Sequence, residues 1–294
     1  MIDRDDCPPS PSDSPELEVL YPAAGETGLE GLYLCEGLRS LVPVDGSYLY
    51  TNFVTSLDGR IAIEQSDTGK LSVPGSTANA RDWRLLLELA APADALIVSG
   101  RYLRQLAAGE AQAWPPFSGE APADLVAFRE RQGLVRQPAL VVVTRSLDVP
   151  VAALERLSDR RLIIATVTGA DAQTAAILEG AGAEVLRLGD GDVDGARLVE
   201  ALGERGLRLV YSIAGPAVLH MLISSRVLRR IYLTTVMRVL AGNSFATLAR
   251  GALLEQPCDF RLAALYLDRH GPDGVEQLFQ VYDRRDDPSG PPTD

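Results

Sequence analysis

The chain has 294 residues, 46% of them hydrophobic, and a formal net charge of −12 at pH 7. This length fits one large domain or two small ones, and the apolar content is sufficient for an ordinary core. The negative charge argues against nucleic acid as a partner, because such a surface repels phosphate backbones. No run of about 18 apolar residues occurs and the acidic start resembles no signal peptide, so we expect a cytoplasmic protein with no membrane span.

Cysteine and histidine are scarce. Cys7, Cys35 and Cys258 lie far apart, and His220 and His270 are the only histidines. An odd number of distant cysteines argues against a disulfide framework, and no group with zinc-ligand spacing can be assembled. The sequence therefore predicts neither a disulfide scaffold nor a metal site.

Both ends are rich in proline, serine and acidic residues, which predicts disordered tails over 1–15 and 284–294. Residues 16–45 form an expected N-terminal arm, and 46–283 the folded domain. Within it, short apolar strands alternate with helices, which favours an α/β fold with a mostly parallel sheet. The predicted strands are Tyr48–Leu57, Ala95–Ser99, Ala139–Thr144, Leu162–Thr166, Ala183–Leu188, Leu207–Ile213 and Arg230–Val236. The predicted helices are Arg81–Ala91 with a Ser76-Thr77 cap and Trp83 in the core, Ala170–Glu179, and a stretch that follows Ala214-Gly215-Pro216 and runs to Ser224.

The last third of the sequence no longer alternates strands with long helices. Phe260–Tyr266 and Val275–Tyr282 alternate apolar and polar residues with no long helix between them, which predicts a C-terminal antiparallel hairpin. We expect this hairpin at the edge of the sheet. Because an open edge invites pairing with another chain, it suggests a homodimer formed through the last strands.

Glycine-containing or polar turns follow several predicted strands. In open α/β sheets, ligands bind beyond the carboxyl ends of the strands. The candidate turns are Asp58-Gly59, Gly100-Arg101, Thr144-Arg145-Ser146 and Ala214-Gly215-Pro216. The common glycine-rich nucleotide motifs and the nucleophile-elbow motif are absent, so periodicity alone indicates a ligand-binding α/β domain and no more.

Five segments in order resemble the pyrimidine reductases of riboflavin biosynthesis. They are the Leu20-Tyr21-Pro22 arm, the strand ending in Ser56-Leu57-Asp58-Gly59, the Ala93-Asp94-Ala95 strand ending at Gly100, the Thr144–Pro150 turn, and Ala214-Gly215-Pro216 with the strand from Arg230. The resemblance implies a dihydrofolate-reductase-like fold, a small pyrimidine substrate and NADPH as hydride donor.

Through this resemblance we assign roles to site residues. Asp58 is expected to orient the substrate, and it could donate a proton only if its pKa were raised. Helix N–H groups near Gly215 would bind pyrophosphate, and Arg145 would clamp the 2′-phosphate. The expected substrate residues are Ser56, Asp58, Arg60 and Arg81. The expected cofactor residues are Gly100, Arg101, Thr144, Arg145, Ser146, Ala214, Gly215 and Pro216.

The sequence departs from the family where a glutamate and an arginine are usual, since Ile213 and Ala90 stand there, with Leu87 three residues earlier. These departures keep two alternatives open. One is a reductase of a pterin or folate-like compound. The other is a nucleotide-binding relative that kept the fold and lost the chemistry.

Overall fold

The computed structural model describes residues 16–65, 69–111, 113, 117 and 121–285. In chain order, the strands are β1 (Leu17–Tyr21), β2 (Gly25–Thr27), β3 (Tyr48–Ser56), β4 (Ala62–Glu64), β5 (Leu71–Ser72), β6 (Ala95–Ser99), β7 (Ala139–Val143), β8 (Leu162–Thr166), β9 (Ala183–Arg187), β10 (Leu209–Ser212), β11 (Leu228–Val236), β12 (Phe245–Ala246), β13 (Phe260–Asp268) and β14 (Gln277–Arg284). The helices are α1 (Ala80–Ala90), α2 (Gly100–Ala107), α3 (Ala123–Arg131), α4 (Val151–Glu155), α5 (Ala172–Gly180), α6 (Gly195–Glu204) and α7 (Pro216–Ser224).

The chain divides into two units. Unit 1 comprises residues 16–41, 50–89 and 228–285 of the described chain, and unit 2 comprises residues 42–49 and 90–227. The predicted tail over 1–15 and residues 286–294 of the second tail lie outside the described residues. Arg284, the first residue of that second predicted tail, is buried in β14. No helix in the described part of the chain is long and apolar enough to cross a membrane.

Unit 2 contains the parallel strands. They follow the order β10–β6–β7–β8–β9, and every adjacent pair is parallel. Leu96, Val141 and Ile163 are fully buried, as expected for strands covered by helices on both faces. Because parallel strands end at one edge, the turns after β10, β6, β7 and β8 share the carboxyl edge of this sheet.

Unit 1 contains the antiparallel strands, in the order β2–β1–β13–β14–β11–β3, and a small sheet with the order β12–β4–β5. The predicted hairpin is present as β13 and β14. Its predicted place at the sheet edge is wrong, because β1 pairs with the outer side of β13 and β11 pairs with β14. The N-terminal arm thus supplies the strand that covers the hairpin. The homodimer stays a prediction, but it loses the open edge on which it rested.

Helix α1 begins differently from the prediction. The Oδ1 atom of Asn79 accepts hydrogen bonds from the backbone N–H groups of Arg81 and Asp82, at 3.1 and 3.0 Å. Asn79 is therefore the N-cap, whereas Thr77 donates to the carbonyl of Pro74 within the preceding turn. Trp83, expected in the core, is 44% exposed. The cysteine chemistry also differs from expectation, since Cys35 is disulfide-bonded.

Glu88 holds the N-terminal arm against α1. Its buried carboxylate accepts from the backbone N–H groups of Gly31, Tyr33 and Leu34, at 2.6, 3.1 and 3.4 Å. Arg84, one turn earlier, donates to it at 2.8 Å. Burial raises the pKa of Glu88, while these donors favour the ionised form. The N-terminal arm is thus held by a buried carboxylate whose charge is stabilised only by these hydrogen bonds, so the loss of a donor would destabilise the protein.

We expect Glu88→Gln to lower the free energy of unfolding by about 2–4 kcal/mol, because the amide places N–H groups against existing donors. Urea unfolding at pH 7 measures the change. Glu179→Gln, at an exposed position of α5, is the matched control and should change stability by less than about 0.5 kcal/mol. Equal stabilities of the two variants would contradict this account of the arm.

Candidate active site

Asp58 lies in the turn after β3 and is tied to its chain neighbours. The hydroxyl of Ser56 donates to Asp58 Oδ1 at 2.5 Å, and Arg60 Nη1 lies 2.5 Å from Asp58 Oδ2. Between them, Gly59 has φ +78°, a left-handed conformation that favours glycine. The three predicted substrate residues Ser56, Asp58 and Arg60 are therefore brought together by one tight turn.

The same carboxylate also binds the segment after β11. The backbone N–H groups of Leu240 and Ala241 donate to Asp58 at 3.3 and 2.9 Å. The Ser56 hydroxyl is the largest cause that lowers the pKa of Asp58 to about 2, followed by these backbone donors and Arg60. Asp58 is consequently ionised at neutral pH. The raised pKa that a proton donor needs is not present there.

Arg60 is fixed as firmly as its partner. Its Nη2 atom donates to the carbonyl of Gly242 at 3.2 Å, and its guanidinium carbon lies 4.3 Å from the centre of the Phe245 ring. Its Nε atom is buried and makes no hydrogen bond. The Asp58–Arg60 pair thus joins the end of β3 to residues 240–245, and it orders this part of unit 1.

Arg81, the fourth predicted substrate residue, takes part in a different network. Its Nε atom lies 2.6 Å from Asp268, whose side chain is fully buried, and its Nη1 atom lies 3.1 Å from Glu16. The structure therefore places Arg81 with these two carboxylates and not with Asp58. Leu87 and Ala90, where the family usually has basic residues, are buried in α1.

Asp82, a residue that sequence reasoning missed, is a buried acid with unusual surroundings. It is 8% exposed, and its carboxylate accepts a hydrogen bond of 2.6 Å from the hydroxyl of Thr234 on β11. Burial raises the pKa of Asp82 to about 6, and the Thr234 hydrogen bond opposes that rise. Its charge also helps to raise the pKa of the buried Tyr33. An acid in the first turn of a helix is commonplace, so the sequence held no signal for this role.

Gly100 and Thr144 meet at the carboxyl edge of unit 2. A β-carbon at Gly100 would lie 3.1 Å from Thr144 Oγ1 and 3.2 Å from Thr144 Cβ. Glycine is therefore favoured at position 100 because β6 and β7 end close together, an internal packing reason. The predicted cofactor residues Gly100 and Thr144 are adjacent, and Thr144 itself is buried.

The charged and hydroxyl residues of this edge face solvent. Arg101, Arg145 and Ser146 are exposed. Arg145 Nη1 lies 3.4 Å from Asp192 Oδ1, and both side chains are more than two-thirds exposed. The Ser146 hydroxyl accepts from the backbone N–H group of Asp148 at 3.4 Å. Arg145 thus has an acidic neighbour, Asp192, that was not predicted from the sequence.

Ala214, Gly215 and Pro216 connect β10 to α7. Gly215 is the N-cap residue and Pro216 occupies the first turn, as predicted, and no side chain caps this helix. Apart from its two chain neighbours, no atom of the described residues lies within 4 Å of the position that a β-carbon on Gly215 would take. Unlike Gly100, Gly215 is thus not required by internal packing.

The helices of unit 2 differ in how their N-termini are satisfied. In the part of the chain that the structure describes, no side chain caps α2 or α7, which follow the adjacent strands β6 and β10, and none caps α3 or α4. By contrast, Asp171 caps α5 and Asp194 caps α6. Uncapped N–H groups and the positive end of the helix dipole favour an anion at the first pair. Among the described residues, no group of three or more His, Cys, Asp or Glu could hold a metal ion.

These elements make up a mixed α/β protein with a parallel sheet in unit 2. The family model described as the RibD C-terminal domain matches residues 47–268, so the chain belongs to that family of reductases. No curated protein matches the chain.

Solved structures share the fold at low identity. A pyrimidine reductase-like protein from Corynebacterium diphtheriae has 20% identity and a TM-score of 0.63, over 83% of this chain and 94% of that one. RibD from Acinetobacter baumannii has 16% identity and a TM-score of 0.55, over 86% and 62%. A deaminase/reductase from Thermotoga maritima has 14% identity and a TM-score of 0.52, over 81% and 57%. The chain thus spans about three-fifths of the latter two, and the predicted α/β reductase fold is confirmed.

The buried acid leads to a prediction about stability. Because the pKa of folded Asp82, about 6, exceeds its ordinary value of 3.8, folding takes up a proton between these values. The free energy of unfolding of the wild type therefore falls as pH rises from about 4 to 6, and above pH 6 the cost of the ionised carboxylate is fully present.

We expect Asp82→Asn to be more stable than the wild type above pH 6, by up to about 3 kcal/mol, and to gain little at pH 4. Thermal unfolding across pH 4–8 measures the difference. Asp58→Asn is the informative comparison, since its lowered pKa means that losing that carboxylate should destabilise the protein at pH 7. A loss of stability in Asp82→Asn at pH 8 would refute the assignment.

Proposed function

We propose that the protein is an NADPH-dependent reductase of a small ribosylaminopyrimidine, similar to 5-amino-6-(5-phosphoribosylamino)uracil reductase. Membership of the RibD C-terminal domain family is the observation that carries the proposal. When bound, the nicotinamide cofactor supplies the hydride. The residues of the chain supply binding, orientation and a proton.

The carboxyl edge of unit 2 suits the cofactor. The uncapped N-termini of α2 and α7 offer N–H groups to a pyrophosphate, and the open space at Gly215 permits close approach of the backbone. Thr144, Arg145 and Ser146 after β7 provide hydroxyl groups and a guanidinium for the 2′-phosphate. We propose that these residues, together with Gly100, Arg101, Ala214 and Pro216, hold NADPH.

Unit 1 contains two acids to which we assign different roles, Asp58 and Asp82, because their surroundings shift their pKa values in opposite directions. Asp58, held ionised by four donors, keeps the turn after β3 in place and can orient a substrate hydroxyl. Asp82, with a pKa near 6, is protonated in a useful fraction near neutral pH and is the proposed proton donor. The Thr234 hydroxyl positions its carboxyl group.

Oxidation of NADPH, followed by its absorbance with the phosphoribosylaminopyrimidine, its dephosphorylated form and a dihydropterin, tests the proposal. Turnover of a pyrimidine supports it, whereas turnover of the pterin alone favours the first alternative. NADPH binding without oxidation by any of the three would favour the non-catalytic alternative, which Ile213 and Ala90 motivated. The homodimer and the cytoplasmic location remain separate proposals.

The proposed proton donor predicts a pH profile. We expect kcat/KM to fall above about pH 6, and Asp82→Asn to lower turnover by about 100-fold or more while NADPH binding is retained. Thr234→Val removes a hydrogen bond that lowers the pKa of Asp82, so the fall should move to higher pH. Thr234→Ser keeps the hydroxyl and is the control. An unchanged profile in Thr234→Val would rule out Asp82 as the donor.

The open space at Gly215 predicts a binding defect without a folding defect. We expect Gly215→Ala to weaken NADPH binding by about 10-fold, because the methyl group would occupy the open space proposed for the ligand, and to lower the melting temperature only slightly, because alanine is a poorer N-cap residue than glycine. Gly180→Ala, whose β-carbon position is equally open, is the control; it should leave the NADPH affinity unchanged and raise the melting temperature slightly, because Gly180 is the last residue of α5. Equal NADPH affinities of the two variants, measured by fluorescence titration, would contradict the proposed site.

A further inference from the structure

Asp192 contacts the arginine that is proposed to hold the 2′-phosphate. Its Oδ1 atom lies 3.4 Å from Arg145 Nη1, with the side chain of Asp192 85% exposed and that of Arg145 71% exposed. An exposed ion pair of this length is weak, so a stronger anion can replace the carboxylate. Any phosphate that binds Arg145 must nevertheless compete with Asp192.

The loop that carries Asp192 is held in place. The carbonyl of Gly189 accepts from the backbone N–H group and the hydroxyl of Thr168, at 2.6 and 2.9 Å. The backbone N–H group of Asp194 donates to Leu188 at 2.6 Å, and the Asp194 side chain caps α6. Gly189 has φ +120°, and a β-carbon there would lie 2.2 Å from the carbonyl oxygen of Asp192.

Val193, the residue after Asp192, is buried, which anchors the loop further. The backbone at Asp192 is therefore fixed next to the end of β8, while its carboxylate is presented to Arg145. A fixed carboxylate opposes a dianionic phosphate in two ways, by occupying the guanidinium and by direct repulsion. It does not oppose a ribose hydroxyl, which can instead donate a hydrogen bond to it.

We infer that Asp192 is a specificity-determining residue that limits the preference of this protein for NADPH over NADH, by competing with the 2′-phosphate for Arg145. This inference rests on the proposed function. It adds a residue that selects between two dinucleotides differing only in that phosphate. The preference for NADPH is accordingly modest in the wild type and increases when Asp192 loses its charge.

The test is fluorescence or calorimetric titration of NADPH and NADH against the purified full chain, three single variants and one double variant, at low and high salt. We expect Asp192→Asn to lower the Kd for NADPH by roughly three- to fivefold, the range of an exposed pair, and to leave the Kd for NADH unchanged. High salt should shrink the difference. Asp190→Asn removes the same charge from the same loop without removing a contact to Arg145, so its effect should be clearly smaller.

Arg145→Ala should weaken NADPH binding and erase the advantage of Asp192→Asn when the two changes are combined. Equal effects of Asp192→Asn on both cofactors, no effect on either, or an effect matched by Asp190→Asn would overturn the inference. Failure of the proposed cofactor binding looks different, because then neither cofactor binds the wild type at millimolar concentration, and the inference falls with it. Failure of the reductase activity alone is seen as absent NADPH oxidation with binding retained, and it leaves the inference to be decided by the titrations.

Discussion

The charge state of a carboxylate depends on its burial and on the donors around it, and unit 1 contains two opposite cases. Asp58 is met by donors: a hydroxyl, a guanidinium and two backbone N–H groups converge on it, so it stays ionised. Asp82 is met by one hydroxyl, with no cation among the causes of its shift, so burial favours its protonated form. The pKa of Asp58 is therefore lowered, whereas that of Asp82 is raised. The assignment of roles in unit 1 depends on that difference.

Asp58 and Asp82 also differ in what they contribute to the stability of the fold. The donors around Asp58 come from β3, from the turn after it and from residues 240–241, so its charge joins separate parts of the chain. Glu88 does the same for the N-terminal arm. Asp82 costs stability once it ionises, because its partner is a single neutral hydroxyl. A buried acid that destabilises the protein when it is ionised, and that is not needed to hold segments of the chain together, is typical of a functional position.

Much of the fold could be predicted because the signals are local. Ala95–Ser99 and Leu162–Thr166 form strands with the predicted bounds, since short apolar runs between turns determine them. The place of the hairpin could not be predicted in this way. It depends on pairing between β1 and β13, which are more than 200 residues apart in the chain, and periodicity carries no information on such pairs. The candidate site was likewise predictable only in part. The turns at the strand ends could be found from the sequence, whereas the partners of Arg81 and Arg145 could not.

The helices at the carboxyl edge of unit 2 differ in how their N-termini are satisfied. Along the strand order β10–β6–β7–β8–β9, no described side chain caps the helices that directly follow the first three strands, which are α7, α2 and the five-residue α4. Arg145 also follows the third strand, and aspartates cap the helices after the last two. An anion is therefore favoured near β10 and β6, where N–H groups and helix dipoles are uncompensated. It is disfavoured near β8 and β9, where carboxylates already occupy the same positions. Arg145 and Asp192 lie at the boundary between these regions. A single exposed charge can shift the balance there because the fixed charges on either side favour opposite outcomes.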